Sequence, residues 1–144
     1  MIWFGGHTPA PGAIRGIEAG TLQHHLGIEV EGCDDTSLTL RMPVDPRTHQ
    51  PFGRLHGGAS VALAETAGSM AGALCVDPER FVVVGVEINA NHLRPAYSGW
   101  VHAAARPESL GRSLQVWSIR ITDDAGKLVC ISRFTAAVIA LDRK

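Results

Sequence analysis

The sequence predicts an α+β domain in which an antiparallel β-sheet wraps around one long helix. Residues 58–75 contain no charged side chain except Glu65, and their apolar side chains recur at helical spacing. Segments of alternating apolar and polar residues, typical of half-buried strands, lie on both sides of this stretch. A sheet packed on one apolar helix is the economical arrangement of these elements, and 144 residues suit a single domain, 1–144.

The predicted order of elements is a short helix, two strands, the long helix and four strands. Residues 1–12 are rich in Gly and Pro and are predicted to be irregular, with residues 1–4 docked on a neighbour or frayed. The short helix is predicted over residues 14–25. The predicted strands cover residues 26–31, 37–43, 82–91, 100–107, 113–123 and 127–141, with turns at 34–35 and 123–126.

Composition and charge exclude several classes of protein. A net charge of −1 gives no basic surplus for binding nucleic acid or a membrane surface. Glu65 interrupts the one apolar run that approaches the length of a membrane span, and no signal peptide is visible at the N-terminus. The three cysteines have no metal-binding spacing and indicate a reducing cytoplasm, and the adjacent His24 and His25 are interpreted as structural. We therefore expect a cytoplasmic protein without metal or cofactor.

Two features of the long helix suggest chemistry. Gly57 and Gly58 stand at its start, where N–H groups without an internal partner favour a developing negative charge. The alternative is a tight loop-to-helix turn. Glu65 shares a face with Ser69, and a carboxylate on so apolar a helix needs either a partner or a chemical role. The alternative is a structural buried ion pair.

The spacing of these two features predicts a dimer. Glu65 follows Gly57 by eight residues, which is about 12 Å along a helix axis. One carbonyl group cannot contact both the Gly57 amide and the Glu65 carboxylate of the same helix. If both groups act on one substrate, they come from different chains and the site is shared between protomers.

The chain resembles the hotdog-fold acyl-CoA thioesterases, and among them the type that acts in menaquinone and siderophore biosynthesis. That type includes 1,4-dihydroxy-2-naphthoyl-CoA thioesterase and the enterobactin proofreading thioesterase. The resemblance extends from about residue 22 to the C-terminus. It depends on the motifs at 50–53 (QPFG), 55–60 (LHGGAS), 63–65 (LAE), 85–92 (GVEINANH) and 110–117 (LGRSLQVW), which occur in this order.

The resemblance implies hydrolysis of a thioester of coenzyme A or of an acyl-carrier protein, with Glu65 as nucleophile or as general base. It implies that the Gly57 amide polarises the thioester carbonyl and that Gln50, His56 and Ser69 lie around the reacting group. The positions matching the coenzyme A-binding region are Gly85, His92, Arg94, Ser109, Gly111, Arg112 and Ser113. The implied assembly is a homotetramer, a dimer of dimers.

Alternatives remain at several positions and for the function itself. His56 could be a packing residue at the helix start, and His92 and Arg94 could form a solvated strand end. A dehydratase or hydratase and a non-catalytic acyl-CoA-binding protein are the competing functions. The small residues Ala62, Gly68 and Ser69 suggest room for an aromatic acyl group.

Overall fold

The computed structural model describes residues 1–142 and confirms the predicted α+β class. The helices are α1 (Leu22–His25) and α2 (Gly57–Leu74), and short 3-10 turns occupy Phe4–Gly6 and Pro11–Ala13. The strands are β1 (Glu29–Cys33), β2 (Leu38–Pro43), β3 (Phe81–His92), β4 (Trp100–Leu110), β5 (Leu114–Asp123) and β6 (Leu128–Ala140). They form one antiparallel sheet in the order β1-β2-β4-β5-β6-β3.

Helix α2 packs its buried face against the inner face of the sheet. Alternation along the strands directs every second side chain to the helix, which buries a continuous apolar core. The fully buried members contributed by the helix and the strands include Leu63, Ala67, Leu38, Leu40, Met42, Trp117, Ile119, Ile121 and Phe134. No helix among residues 1–142 is both long enough and apolar enough to span a membrane.

Glycines on α2 allow the helix to approach the sheet closely. A Cβ built on Gly68 would lie 2.5 Å from Cδ1 of Phe134, and one on Gly72 would lie 2.5 Å from Oε1 of Gln115. Gln115 also donates to the Gly72 carbonyl over 3.3 Å and accepts from the Trp117 indole over 3.0 Å. Gly68 therefore accommodates Phe134, and the expectation that it leaves room for an acyl ring is wrong.

The first predicted helix is shorter than expected. Only residues 22–25 are α-helical, because Gly16 and Gly20 adopt φ values of +125° and +87°. These left-handed conformations interrupt a right-handed helix. The helix instead begins after Thr21, whose side chain accepts a hydrogen bond from the His24 amide. Gly27, at φ +71°, delays the first strand to Glu29.

Strand β4 ends three residues after its predicted end at residue 107. Strand β4 continues to Leu110 by pairing with β5 across a bulge between Pro107 and Ser109. Ser109 is therefore a strand residue. The other predicted strands and the turns at 34–35 and 123–126 agree with the structure to within a few residues.

The N-terminal segment docks on its own chain. Trp3 is buried, and its indole N–H donates to the Asp34 carbonyl over 2.6 Å. The Ile2 amide donates to the Asp35 carbonyl over 3.1 Å. The apolar side chain of Trp3 is part of the core, so the expectation of a frayed end is wrong.

The two edges of the sheet differ. Strand β1 is five residues long and carries Glu29 and Glu31, whereas β3 is 12 residues long and exposes Val82, Val84 and Val86. Short, charged edges resist further pairing, whereas a long apolar edge invites it.

Candidate active site

A cavity of about 310 Å³ opens at the N-terminus of α2. It brings together four residues predicted from the sequence, which are Gln50, Gly57, His92 and Arg94. The remaining lining residues are Arg54, Leu55, Ser60, Pro95, Ala96 and Val129. This cavity, called the Gln50 cavity below, therefore contains backbone donors, side-chain donors and positive charge beside an apolar wall.

The Gly57 amide can donate to a ligand. Gly57 is the first residue of α2, a position whose N–H has no acceptor within the helix. Among residues 1–142 no other acceptor engages this N–H. The helix dipole adds partial positive charge at the same end, so an oxyanion in this cavity would be stabilised.

The loop before α2 is fixed by backbone hydrogen bonds. The His56 amide donates to the Thr48 carbonyl and the Leu55 amide donates to the Ala96 carbonyl, each over 2.8 Å. The Gln50 side-chain oxygen accepts from the Phe52 amide. Since only the oxygen of an amide side chain can accept, the Gln50 NH₂ group keeps its donors for other partners.

His56 caps the helix. Its Nδ1 accepts a hydrogen bond of 2.8 Å from the Gly58 amide. Nδ1 is therefore unprotonated, and the ring proton of the neutral imidazole is on Nε2. The His56 side chain lines a neighbouring cavity of about 270 Å³ with Ala59 and Ala62, and not the Gln50 cavity. Its predicted place beside a thioester remains a prediction, whereas its capping role is observed.

His92 lies against the backbone of Gly57. A Cβ on Gly57 would come within 2.9 Å of His92 Nε2. Glycine is required here because any side chain would displace the imidazole or close the cavity. Arg54 and Arg94 provide two guanidinium groups at the same cavity, and such groups bind phosphate well.

Glu65 lies two turns further along α2 and outside the Gln50 cavity. Its half-buried carboxylate contacts β3, because a Cβ on Gly85 would be 2.7 Å from Glu65 Oε1. Gly85 was predicted to bind coenzyme A, and its observed contact is with the Glu65 carboxylate. The separation of Gly57 and Glu65 expected from helix geometry is therefore present in this chain.

Ser69 lies on the same face of α2 as Glu65, although the side chains are not hydrogen bonded to each other within residues 1–142. Ser69 lines a larger, mostly apolar cavity formed with the N-terminal segment. Its place around the reacting group, implied by the resemblance, stays a prediction.

The predicted coenzyme A-binding residues fall into two groups at opposite ends of β3. His92 adjoins Gly57, whereas Gly111 and Arg112 share a cavity with Phe81. Phe81 and His92 are the first and last of the 12 residues of β3, which puts them about 35 Å apart. Ser109 and Ser113 are exposed near the Gly111 end. Within one chain, these two groups are therefore too far apart to surround one small ligand.

Sequence reasoning missed Arg54 and Ser60. Ser60 is one helical turn beyond Gly57, and this i to i+3 spacing could have indicated it. Arg54 comes from an irregular loop, whose path no periodicity reveals. Within residues 1–142, no group of three or more His, Cys, Asp or Glu side chains could hold a metal ion.

Comparisons with known proteins agree with this architecture. The family model described as "Thioesterase superfamily" matches residues 52–130, more than half of the chain. A crystallised mutant thioesterase from Pseudomonas aeruginosa is similar in fold, with a TM-score of 0.93 and 51% identity. The alignment covers 98% of this chain and 100% of that one. The chain therefore belongs to the thioesterase superfamily, its fold is the hotdog fold, and it is a thioester hydrolase.

Two curated relatives have more specific names. The chain is 50% identical over 127 residues to the 1,4-dihydroxy-2-naphthoyl-CoA hydrolase of Escherichia coli K12, which covers 88% of this chain and 93% of that protein. It is also 50% identical over 127 residues to the proofreading thioesterase EntH of Cronobacter turicensis, covering 88% of this chain and 92% of that protein. The resemblance inferred from the motifs is confirmed.

Proposed function

We propose that this thioesterase hydrolyses thioesters that join an aromatic or medium-sized acyl group to coenzyme A or, as the alternative thiol carrier, to an acyl-carrier protein. The Gln50 cavity is the observation that carries the proposal. It combines the Gly57 N–H, which has no acceptor within residues 1–142, with the Gln50 side-chain amide and the guanidinium groups of Arg54 and Arg94. The name of the Escherichia coli relative, 1,4-dihydroxy-2-naphthoyl-CoA hydrolase, supports coenzyme A as the thiol carrier.

The reaction uses a donor side and a carboxylate side. The Gly57 amide, aided by Gln50, polarises the thioester carbonyl and stabilises the oxyanion that forms on it. As general base, Glu65 takes a proton from the attacking water and passes it to the thiolate of coenzyme A as the carbon–sulfur bond breaks. As nucleophile, Glu65 forms a mixed anhydride with the acyl group as the carbon–sulfur bond breaks, and water then hydrolyses this anhydride, regenerating the carboxylate and supplying the proton of the thiol.

The two sides come from two protomers of a homodimer. The unpaired edge of β3 and its exposed valines support antiparallel pairing of two β3 strands. In such a pair, the Glu65 region of one chain near Gly85 approaches the His92 end of the other chain. The same pairing also brings the two distant groups of proposed coenzyme A ligands together.

Further association into a dimer of dimers is proposed from the outer face of the sheet. Val82 and Ile139 pair across β3 and β6, and Leu114 lies nearby on β5, all with exposed side chains. The free thiols of all three cysteines support the cytoplasm as its location.

Loss of thiol release in a Glu65→Gln variant tests the catalytic role of Glu65. With 2-naphthoyl-CoA and a thiol reagent, we expect kcat to fall by about 10²–10⁴-fold. The matched control is Glu79→Gln, an exposed residue after α2, which should retain wild-type activity. Near wild-type thiol release by Glu65→Gln would overturn the assignment, and hydration of an enoyl-CoA without thiol release would indicate a hydratase.

Subunit mixing tests whether sites are shared. Glu65→Gln and Gln50→Ala protomers are each deficient, but a mixed dimer contains one site with both residues intact. Unfolding and refolding an equal mixture should restore activity to about a quarter of the wild-type value. Absence of any recovery, although mixed dimers are detected by mass spectrometry, would show that each site uses one chain.

A further inference from the structure

A mostly apolar cavity lies between α2 and the N-terminal segment. Its volume is about 660 Å³, within the range of roughly 300–1,000 Å³ that is usual for small-molecule sites. The side facing α2 is formed by Ser69, Met70, Ala73 and Leu74, and the opposite side includes Phe4, His7, Pro9, Ala13 and Gly16. The function derived above leaves this cavity without an occupant.

The cavity begins one helical turn beyond the proposed catalytic carboxylate. Ser69 follows Glu65 by four residues on the same face of α2, which is about 6 Å along the axis. Ala73 continues that face by another turn and remains exposed. An acyl group whose carbonyl carbon is held near Glu65 can therefore extend along this face into the cavity.

The wall opposite α2 is anchored at both ends. Trp3 is buried at one end and its indole donates to Asp34. At the other end, Gln23 Nε2 donates to the Gly16 carbonyl over 2.7 Å. Gly16 itself lies against Met70, since a Cβ at this position would be 3.6 Å from the Met70 side chain. These anchors hold the segment across the C-terminal half of α2, where it forms the wall of the cavity opposite the helix.

We propose that residues 4–16 and the C-terminal half of α2 form the acyl-binding cavity of this thioesterase, and that Phe4 and Ala13 determine the size of ring-bearing acyl group it accepts. This proposal rests on the proposed function for the position of the thioester carbonyl. The Phe4 ring supplies apolar surface for stacking on an aromatic acyl group. Ala13 leaves space that a larger side chain would fill.

The first experiment compares two alanines of the same segment. Both Ala10 and Ala13 are exposed, but only Ala13 lines the cavity, so Ala13→Leu fills the acyl space and Ala10→Leu is the matched control. For Ala13→Leu we expect kcat/KM with 2-naphthoyl-CoA to fall about tenfold or more, as is usual for added bulk in an apolar pocket. Activity with acetyl-CoA, whose acyl group is too short to reach Ala13, should fall much less, and Ala10→Leu should match the wild type with both substrates.

Phe4→Ala tests the proposed contact with the ring. Phe4 is half exposed, so its truncation leaves the buried core intact. We expect KM for 2-naphthoyl-CoA to rise several-fold and KM for acetyl-CoA to change much less. Equal changes with the two substrates, or no change in either the Ala13 or the Phe4 variant, would overturn the proposal.

Equilibrium dialysis of 2-naphthoate gives a readout independent of hydrolysis. Wild type and Ala10→Leu should bind this product with equal affinity, and Ala13→Leu should bind it at least several-fold more weakly. If no thioester is hydrolysed at all, the proposed function fails, and the dialysis still decides whether the cavity takes the ring. Hydrolysis with unaltered ring selectivity and unaltered 2-naphthoate binding would reject the cavity alone.

Discussion

The Glu65 carboxylate rests against Gly85 on β3, so closely that a Cβ on Gly85 would lie 2.7 Å from Glu65 Oε1. The same Cβ would lie 3.0 Å from Cε2 of the buried Phe134 ring. The flexible carboxylate can move aside more easily than the packed ring. The absence of a side chain at Gly85 therefore sets the position of Glu65.

A Gly85→Ala variant should displace Glu65 while the fold persists. We expect kcat for thioester hydrolysis to fall about 10²-fold, because displacing a reacting group by about 1 Å has effects of this size. The matched control is Gly32→Ala on β1, where a Cβ would meet no atom within 4 Å. Steady-state kinetics and circular dichroism check the two variants, and an unchanged kcat in Gly85→Ala would contradict the positioning role.

Gly57 and His92 should behave as a coupled pair. A Cβ on Gly57 would press on the His92 ring at 2.9 Å, so Gly57→Ala alone should lower kcat/KM strongly. Removing the ring in His92→Ala relieves that contact. In the double variant, the effect of Gly57→Ala should therefore be smaller than in the wild-type background.

A double-mutant cycle of kcat/KM values measures this coupling. Additive losses of kcat/KM would show that the methyl group introduced by Gly57→Ala interferes with the substrate directly and not through His92. Thermal unfolding of the wild type, the two single variants and the double variant checks that all four proteins are folded under the assay conditions.

Arg94→Gln should weaken binding of a coenzyme A substrate without altering the chemical step. The Arg94 guanidinium is exposed at the Gln50 cavity, where it can contact a phosphate group of coenzyme A. We expect KM for an acyl-CoA to rise several-fold at constant kcat. With an N-acetylcysteamine thioester, which lacks the phosphates, wild type and variant should have the same KM. Arg106→Gln, an exposed arginine on β4 away from this cavity, is the control.

The patterns of apolar and polar residues predicted the fold well, because each buried face of a helix or strand requires apolar residues at the spacing of that element. Apolar spacing identified α2, and alternation identified the six strands. The first helix differs from its prediction because of glycine conformation. The positive φ values of Gly16 and Gly20 interrupt a helix that the spacing of apolar residues alone favoured.

The candidate site was only partly predictable. The sequence placed Gln50, Gly57 and Glu65 on the correct elements, and helix geometry correctly separated the last two. It could not place Arg54, which comes from an irregular loop, or the contact of Gly85 with Glu65, which depends on how far β3 lies from the helix. The cavity under residues 4–16 was also beyond sequence reasoning, because it depends on where the buried Trp3 anchors the chain.

His102 should make the stability of the protein depend on pH. Its Nδ1 lies 2.8 Å from Glu31 Oε2 and its Nε2 lies 2.7 Å from Asp124 Oδ1. Burial lowers the pKa of His102, but hydrogen bonds to Asp124 and Glu31 and their negative charges outweigh this effect and raise the pKa overall. The imidazolium is therefore favoured in the folded state.

A raised pKa in the folded state means that the stabilisation is complete below the unfolded-state value of about 6.5 and is lost as the pH rises through the folded-state value. A His102→Gln variant cannot ionise and should therefore have a lower Tm than wild type at pH 5.5. The difference in Tm should shrink steadily between pH 6.5 and pH 9. Differential scanning calorimetry across this range checks the trend, and a difference that grows with pH would mean that His102 is neutral between its two carboxylates.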